Sequence, residues 1–437
     1  MIDQPKGFKG VFEMHNILED ALNKKKWSYK KDLYSQVFHS IEFTRPCEKP
    51  DISIVVISWR LHEDTILNFI SLEKQRQYSN FEIIFVDNGG ADGEFEILKP
   101  YINSYIKLNE NTGAYIARNI GAVFSKAPIV LFLEDDGIPD DDLIISHILA
   151  HRRYVTHAVT GVCLFKTENP LNERQKHYYR GEEFYPCFSE LEGNTSYSSE
   201  VFFSVGGWDD EINFGGGGKE LAIRLYWFSR DFSKQVYSPL SIIYHDYALN
   251  EEHLKKKNEK QKRSYARLEK KYREWSSFRD QWIPFWGREN FLIESEQWKD
   301  NSNNIQNQFM EIQTRVKERN EMDIKKYMRG KIFLTDSKAF LNLAINHHSE
   351  IKYTIFGAGS YGSVVMHKLQ DYGIRIDSFV DNNPSIWGTT IEGLPVIPPQ
   401  KISSDTFLFV ASNWHYEIKK QLLEMGLRED VNFKIII

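Results

Sequence analysis

Three short runs of apolar, largely β-branched residues, Ile52–Ile57, Phe81–Val86 and Ile129–Leu133, do most to limit what this chain can become. Each is too short for an ordinary helix and lacks polar alternation, which is the pattern of a strand covered on both faces. Amphipathic stretches at 64–75 and 112–125 lie close behind two of these runs or between them. Strand and helix in alternation build a mostly parallel sheet clad in helices, an α/β fold. Such a sheet presents its functional residues where the strands end, at the carboxyl edge.

At 437 residues the chain is too long for one core, and two or three domains are expected. Residues 1–50 mix aromatic, apolar and Lys residues at helical spacing and read as an N-terminal helical arm. The α/β pattern fills 51–250. From 251 to 350 good helix formers with charge on most faces predict a helical connector, partly packed through Trp275, Phe278, Trp282 and Trp286. A fresh strand at Tyr353–Phe356 opens a last, small α/β unit over 351–437. Its further strands are expected at Ile376–Val380, Phe407–Val410 and Phe433–Ile437.

Lys and Arg number 55 against 61 Asp and Glu, a net charge of −6. That balance speaks against a general nucleic-acid binder. The three cysteines, Cys47, Cys163 and Cys187, are scattered and odd in number, so neither a disulfide framework nor a zinc-thiolate site is expected. No apolar run reaches the roughly 18–20 residues needed to span a bilayer, and the first residues lack the order of a signal peptide. A cytoplasmic protein is expected. The basic stretch Lys255–Arg273 leaves open a peripheral, salt-sensitive association with the inner face of a membrane, against the plainer reading of a solvated helix.

The chemistry concentrates at Phe132-Leu-Glu-Asp-Asp136, an apolar strand that runs straight into three acids. Adjacent carboxylates repel one another unless a cation sits among them, and hard divalent metals prefer oxygen ligands with positions left for phosphate. An acidic, solvated loop is the alternative. Upstream, Phe85-Val-Asp87-Asn88-Gly89 puts a carboxylate at a strand end. Asn111-Thr-Gly113 then leads to Ala117-Arg118-Asn119. Downstream come Val205-Gly-Gly-Trp-Asp209-Asp210-Glu211, then Phe214 with four glycines, Lys219 and Glu220-Leu-Ala-Ile-Arg224. Ile242-Ile-Tyr-His245-Asp246 closes the series.

These six motifs, in this order over residues 51–250, resemble the GT-A fold of the inverting family 2 glycosyltransferases. The resemblance implies a nucleotide-sugar donor, a UDP-sugar first among them, and Mn²⁺ or Mg²⁺ as cofactor. It implies a hydroxyl acceptor on a glycan, a lipid-linked glycan or a protein, as in bacterial surface polysaccharide or glycoconjugate synthesis. Carried over, it puts Asp87, Asn88, Gly113 and Arg118 at the donor, Asp136 on the metal with Glu134 and Asp135 beside it, and His245 completing the shell.

Two departures stand out. Ser58, Trp59 and Arg60 replace the Thr-Tyr-Asn that commonly follows the family's first strand. More seriously, Gly217-Gly218 stand where the family carries a Glu-Asp pair whose Asp is the acceptor's general base. Glu220 is then the first candidate for that base, with Asp209 and Asp210 as substitutes, since the acceptor hydroxyl needs a carboxylate within hydrogen-bond reach. The run Gly215–Gly218 is expected to let a loop close over the donor.

In the last unit, Gly357-Ala-Gly359-Ser-Tyr-Gly362 follows a strand, opens a helix and precedes Asp381 at the next strand end. That context suits a second nucleotide site. The unit also resembles truncated Rossmann-like modules appended to sugar-modifying enzymes, for which a structural role or a role in homo-oligomer assembly is the alternative. Two other functions compete with the transferase: a non-catalytic scaffold with a degenerate transferase domain, and an NAD-dependent oxidoreductase served by the last unit alone.

Overall fold

The computed structural model describes residues 7–77, 79–166, 171, 178–248, 250–273, 275, 299–300, 302–320, 352–371, 374–403, 406–412, 414–429 and 431–435. The chain divides into two compact units, Met1–Arg60 with Ser71–Glu321, and Leu61–Ile70 with Met322–Ile437.

The elements up to residue 133 are α1 (Gly7–Lys24), α2 (Lys31–Val37), β1 (Phe38–Phe43), β2 (Ile52–Ser58), α3 (Glu63–Lys74), β3 (Phe81–Asp87), β4 (Ser104–Leu108), α4 (Ala114–Val123) and β5 (Ile129–Leu133). After them come β6 (Ile138–Pro139), α5 (Leu143–Arg153), β7 (Ala158–Leu164), β8 (Tyr185–Pro186), β9 (Asn194–Ser198), α6 (Ser199–Ser204), α7 (Gly217–Ser229) and β10 (Gln235–Tyr244). The ten strands form one sheet in the order β1-β4-β3-β2-β5-β9-β7-β10-β6, with β8 also on β10. Strands β4, β3, β2 and β5 run parallel, and β9 then reverses the direction. All three runs singled out in the sequence are strands, and β3 and β5 are buried at every position. This is the α/β architecture expected of a GT-A domain.

Helix α4 lies close on the sheet because residue 121 has no side chain. A Cβ there would come within 2.6 Å of Val55 and 2.9 Å of Val86. The helix therefore holds the Arg118 region against the carboxyl ends of β2 and β3.

The segment read as a helical arm ends in a strand. β1 pairs antiparallel with β4, with an irregular register between Phe38 and Ser40. Only Phe38 and Ile41 of β1 are buried, a spacing of three that imitates a helix in the sequence. The segment is also fixed by side chains: Trp27 Nε1 donates to the Phe203 carbonyl at 2.9 Å, and Lys30 Nζ lies 2.5 Å from Asp210. Leu18, Leu22, Trp27 and Tyr34 join the main core.

Helices α8 (Glu251–Lys271) and α9 (Asn303–Asn320) come from the region read as a connector. Leu268, Tyr272 and Trp275 are buried in the main core, and Arg315 pairs with Asp142 at 2.7 Å. These helices clad the first unit. Part of the basic face of α8 is engaged, Arg267 with Glu211 and Lys271 with Asp209. Phe278, Trp282 and Trp286 lie outside the described residues. Among those described, no helix is long and apolar enough to cross a membrane.

The C-terminal unit contains β11 (Lys352–Phe356), α10 (Ser360–Asp371), β12 (Ile376–Val380), β13 (Thr390–Ile391), β14 (Leu394–Ile397), β15 (Thr406–Val410), α11 (His415–Glu424) and β16 (Phe433–Ile435). Its sheet runs β13-β14-β12-β11-β15-β16, parallel throughout except for β13. Neighbouring residues of one strand face opposite cores. Ile355, Phe379 and Phe409 enter one, while Phe356, Val380 and Val410 enter the other. Both faces of this α/β sheet are thus covered.

Candidate active site

The ends of β2, β5 and β10 meet at one edge of the first sheet. β5 delivers Glu134, Asp135 and Asp136, whose ligand oxygens all lie within 4.8 Å of one another. β2 delivers Ser58, whose hydroxyl lies 2.5 Å from Asp135 Oδ2. β10 delivers His245, with Nε2 3.1 Å from Asp136 Oδ1. The backbone of His245 is pinned as well, since its N–H donates to the Leu164 carbonyl at 2.8 Å.

These contacts divide the acids. Burial, then the charges of Asp136 and Glu134, raise the Asp135 carboxyl well above its usual range, against the Ser58 hydrogen bond. For Asp136 enclosure acts in the same sense, but His245, Lys166 and Lys257 outweigh it and the carboxyl is held below its usual range. Burial disfavours a charged His245 too, yet Asp136 prevails and the imidazole titrates well above its ordinary value. Asp136 and Glu134 are both partly open, with 42% and 37% of their side chains exposed.

Behind the triplet lies Arg118, 2% exposed. Its guanidinium reaches Glu134 at 3.3 Å and Glu192 at 3.5 Å and packs over the Trp208 ring at 5.3 Å. Arg118, expected at the donor, is a buried cation that ties two carboxylates together.

Asp87 is likewise inside. It is fully buried, accepting from the Tyr105 hydroxyl at 2.6 Å and from the Gly90 N–H at 2.7 Å. Burial raises its carboxyl above the usual range, against those two hydrogen bonds. Asn88 clamps the next loop, accepting from the Thr112 N–H at 2.9 Å and donating to the Gly113 carbonyl at 3.0 Å. Gly113 has φ 82°, and a Cβ there would lie 2.9 Å from the Asn213 carbonyl. These residues shape the edge. Trp59 stands on it 56% exposed, with Arg60 beside it half-buried.

The three candidate bases are already engaged. Glu220 is fully buried, paired with Arg224 at 2.5 Å and Lys271 at 3.1 Å and accepting the Tyr272 hydroxyl. Asp209 takes Lys271 at 2.7 Å, and Asp210 takes Lys30, Tyr34 and Asn119. None belongs to the group of acids at 134–136. The glycine run is not an open loop either, because Gly217 and Gly218 form the first turn of α7 and Gly215 and Gly216 pack against α8.

One carboxylate escaped the sequence reading. Glu192 accepts from the Tyr115 hydroxyl at 2.8 Å and from the Gly218 N–H at 3.0 Å, and 19% of its side chain is exposed. It belongs to no motif. The only signal in the sequence was indirect, a Gly-Gly where a pair of acids was expected.

In the C-terminal unit, Asp381 at the end of β12 accepts from the Ala358 N–H at 2.9 Å and so closes the turn after β11. Gly357 has φ 120° and a Cβ on it would collide with the Ala411 carbonyl, whereas a Cβ on Gly359 would meet nothing within 4 Å. Gly362 packs on the Gly357 carbonyl. Two of the three glycines thus serve the turn itself, and Gly359 faces open space.

Residues 53–208 match Glycosyl transferase family 2, and residues 349–435 match the family described as C2185-like, N-terminal. The chain is similar to the uncharacterized glycosyltransferase YfnE of Bacillus subtilis (strain 168), 26% identical over 114 residues, 25% of this chain and 29% of that protein. It is also similar to the glycosyltransferase AglE of Haloferax volcanii, 38% identical over 66 residues, 14% of this chain and 22% of that one. It spans less than a third of the length of these curated relatives. Among solved structures, the mannosyltransferase PcManGT from Pyrobaculum calidifontis in complex with GDP-Man and Mn²⁺ aligns with a TM-score of 0.39 at 11% identity, covering 84% of this chain and 92% of that one.

Proposed function

We propose that this chain, which belongs to glycosyl transferase family 2 through residues 53–208, is a metal-dependent inverting transferase. It would move a sugar from a nucleotide-sugar, a UDP-sugar first, to a hydroxyl of a glycan, a lipid-linked glycan or a protein. The observation that carries the reading is the meeting of Asp136 and His245 at 3.1 Å beside Glu134 and Asp135.

The donor set fits Mn²⁺ or Mg²⁺, with three carboxylates that are costly together without a cation and one imidazole on an adjoining strand end. Asp136 and His245 would hold the ion, with Asp135 and Glu134 beside them. Such an ion supplies positive charge to a diphosphate leaving group. Ser58 holds Asp135 in place, and Arg118 lowers the cost of Glu134 from behind. Trp59 offers an exposed ring on which a nucleobase can stack, and Arg60 a cation near the phosphates. We take the C-terminal unit to carry no transfer chemistry. The open face at Gly359 supports a small nucleotide there as a secondary reading.

The test is a panel of UDP- and GDP-sugars with Mn²⁺, read by thermal stabilisation and by release of nucleoside diphosphate. One donor should stabilise the protein only with metal present. Absence of both signals across the panel would sink the proposal and favour a non-catalytic scaffold, the reading suggested by the engaged state of Glu220, Asp209 and Asp210.

A further inference from the structure

We infer that Glu192 is the base that takes the proton from the acceptor hydroxyl, replacing the acids missing at Gly217-Gly218. This rests on the transferase reading above. The carboxylate sits on the first turn of α7. Gly218 N–H donates to one of its oxygens at 3.0 Å, and the Tyr115 hydroxyl, which itself accepts from Gly217 N–H at 3.0 Å, donates to the other at 2.8 Å. Side chains at 217 and 218 would have to leave the helix through that same space. It is filled: a Cβ on Gly217 would collide with the Tyr115 ring, and one on Gly218 would lie 2.5 Å from the Glu190 carbonyl and 2.9 Å from Glu192 Cγ. The glycines and Glu192 are therefore one arrangement, in which a carboxylate reaches the helix start from the 190–193 loop instead of growing from the helix.

Two further contacts bind Glu192 to the acid triplet. Arg118 spans Glu192 and Glu134, and Gly193 lies directly under the Glu134 side chain, which leaves no room for a Cβ. Glu220, by contrast, is fully buried among Arg224, Lys271 and Tyr272, while Glu192 keeps 19% of its side chain open. In the step, Glu192 accepts the hydroxyl proton as the acceptor oxygen forms its bond to the anomeric carbon. The bond from that carbon to the diphosphate breaks, and its electron pair leaves with the nucleoside diphosphate. Glu192 afterwards returns the proton to solvent.

The experiment uses the full chain with Mn²⁺ and the same UDP- and GDP-sugars, with water as the acceptor hydroxyl, and compares Glu192→Gln and Glu192→Asp with the unchanged protein. Glu192→Gln should keep its metal-dependent donor binding and lose roughly 10²–10⁴-fold in nucleoside diphosphate release. The acid limb of the pH–rate profile should go with it. Glu192→Asp, which keeps the charge beside Arg118 and Gly218 but withdraws it by one methylene, should fold and lose more than tenfold at unchanged donor affinity. Full release by Glu192→Gln, or by Glu192→Asp should the Gln variant not fold, overturns the assignment, as does loss of donor binding together with rate. Failure of the unchanged protein to bind any of these donors overturns the transferase reading itself.

Discussion

Asp136 and His245, 109 positions apart, stand 3.1 Å from each other because β5 and β10 end at the same edge of one sheet. Each shifts the other's titration toward the charged form, and Asp136 keeps 42% of its side chain exposed. A metal that replaces the imidazole proton would enter here.

Asp136→Ala should therefore abolish Mn²⁺-dependent thermal stabilisation by the donor while leaving the melting temperature of the protein alone within a few degrees. Excess chelator should do the same to the unaltered protein. Nucleoside diphosphate release that survives chelation would refute the metal requirement.

Glu220→Gln should act on stability before it acts on rate. Lys271 keeps Asp209, but the largely buried Arg224 loses its carboxylate, and breaking a buried pair costs up to about 3–5 kcal/mol. A clear fall in the midpoint of urea denaturation is expected, with donor affinity retained in the fraction still folded. A variant as stable as the parent but inactive would return Glu220 to the role of base.

Acid should weaken the fold well above the carboxylate range. His147 and His151 are buried, and burial lowers them from 6.5 to about 4 and about 3. Both bond to Ser196 at 2.9 Å, and His147 also bonds to Asn194 at 2.9 Å. Above pH 6.5 both are neutral, folded or unfolded, and contribute no pH dependence. As pH falls below 6.5 the unfolded chain takes up protons that the folded one refuses, so stability is lost at up to about 1.4 kcal/mol per pH unit for each histidine. Denaturation midpoints between pH 7 and 5 measure this, and His147→Gln should flatten the slope. A midpoint unchanged over that range would contradict it.

A chain ending at residue 340 should keep metal-dependent donor binding, since the acid triplet and His245 all precede that point. The segment 352–435 has its own sheet and its own two cores. Loss of donor binding in a truncated protein that still melts cooperatively would show that the last unit takes part in the donor site.

What the sequence made legible was whatever is local. The apolar runs became β2, β3 and β5, and the acids at the end of β5 and the imidazole at the end of β10 were readable as strand-end residues. Partnership across the fold was not. Asp87 is readable as a strand-end carboxylate, but its bonds to the Tyr105 hydroxyl and the Gly90 N–H are not. Arg118 is readable as a cation near the same edge, but its pairing with Glu134 and Glu192 is not. β1 escaped because its register irregularity spaces Phe38 and Ile41 like a helix face. Glu192 escaped because its meaning depends on what two distant glycines lack.

The pairing of β1 with β4 matters for how the protein is made. Phe38 leaves the ribosome well before Leu108, its partner in the ladder, so the first strand must wait unpaired while the centre of the sheet is still being synthesised. Made first, it is on hand when β4 emerges, and an outer edge of β4 left without it would invite the strand of another chain. A fragment cut at the family-matched boundary, residue 53, would keep that exposure permanently. The first fifty residues thus supply the cover that β4 needs as soon as it exists.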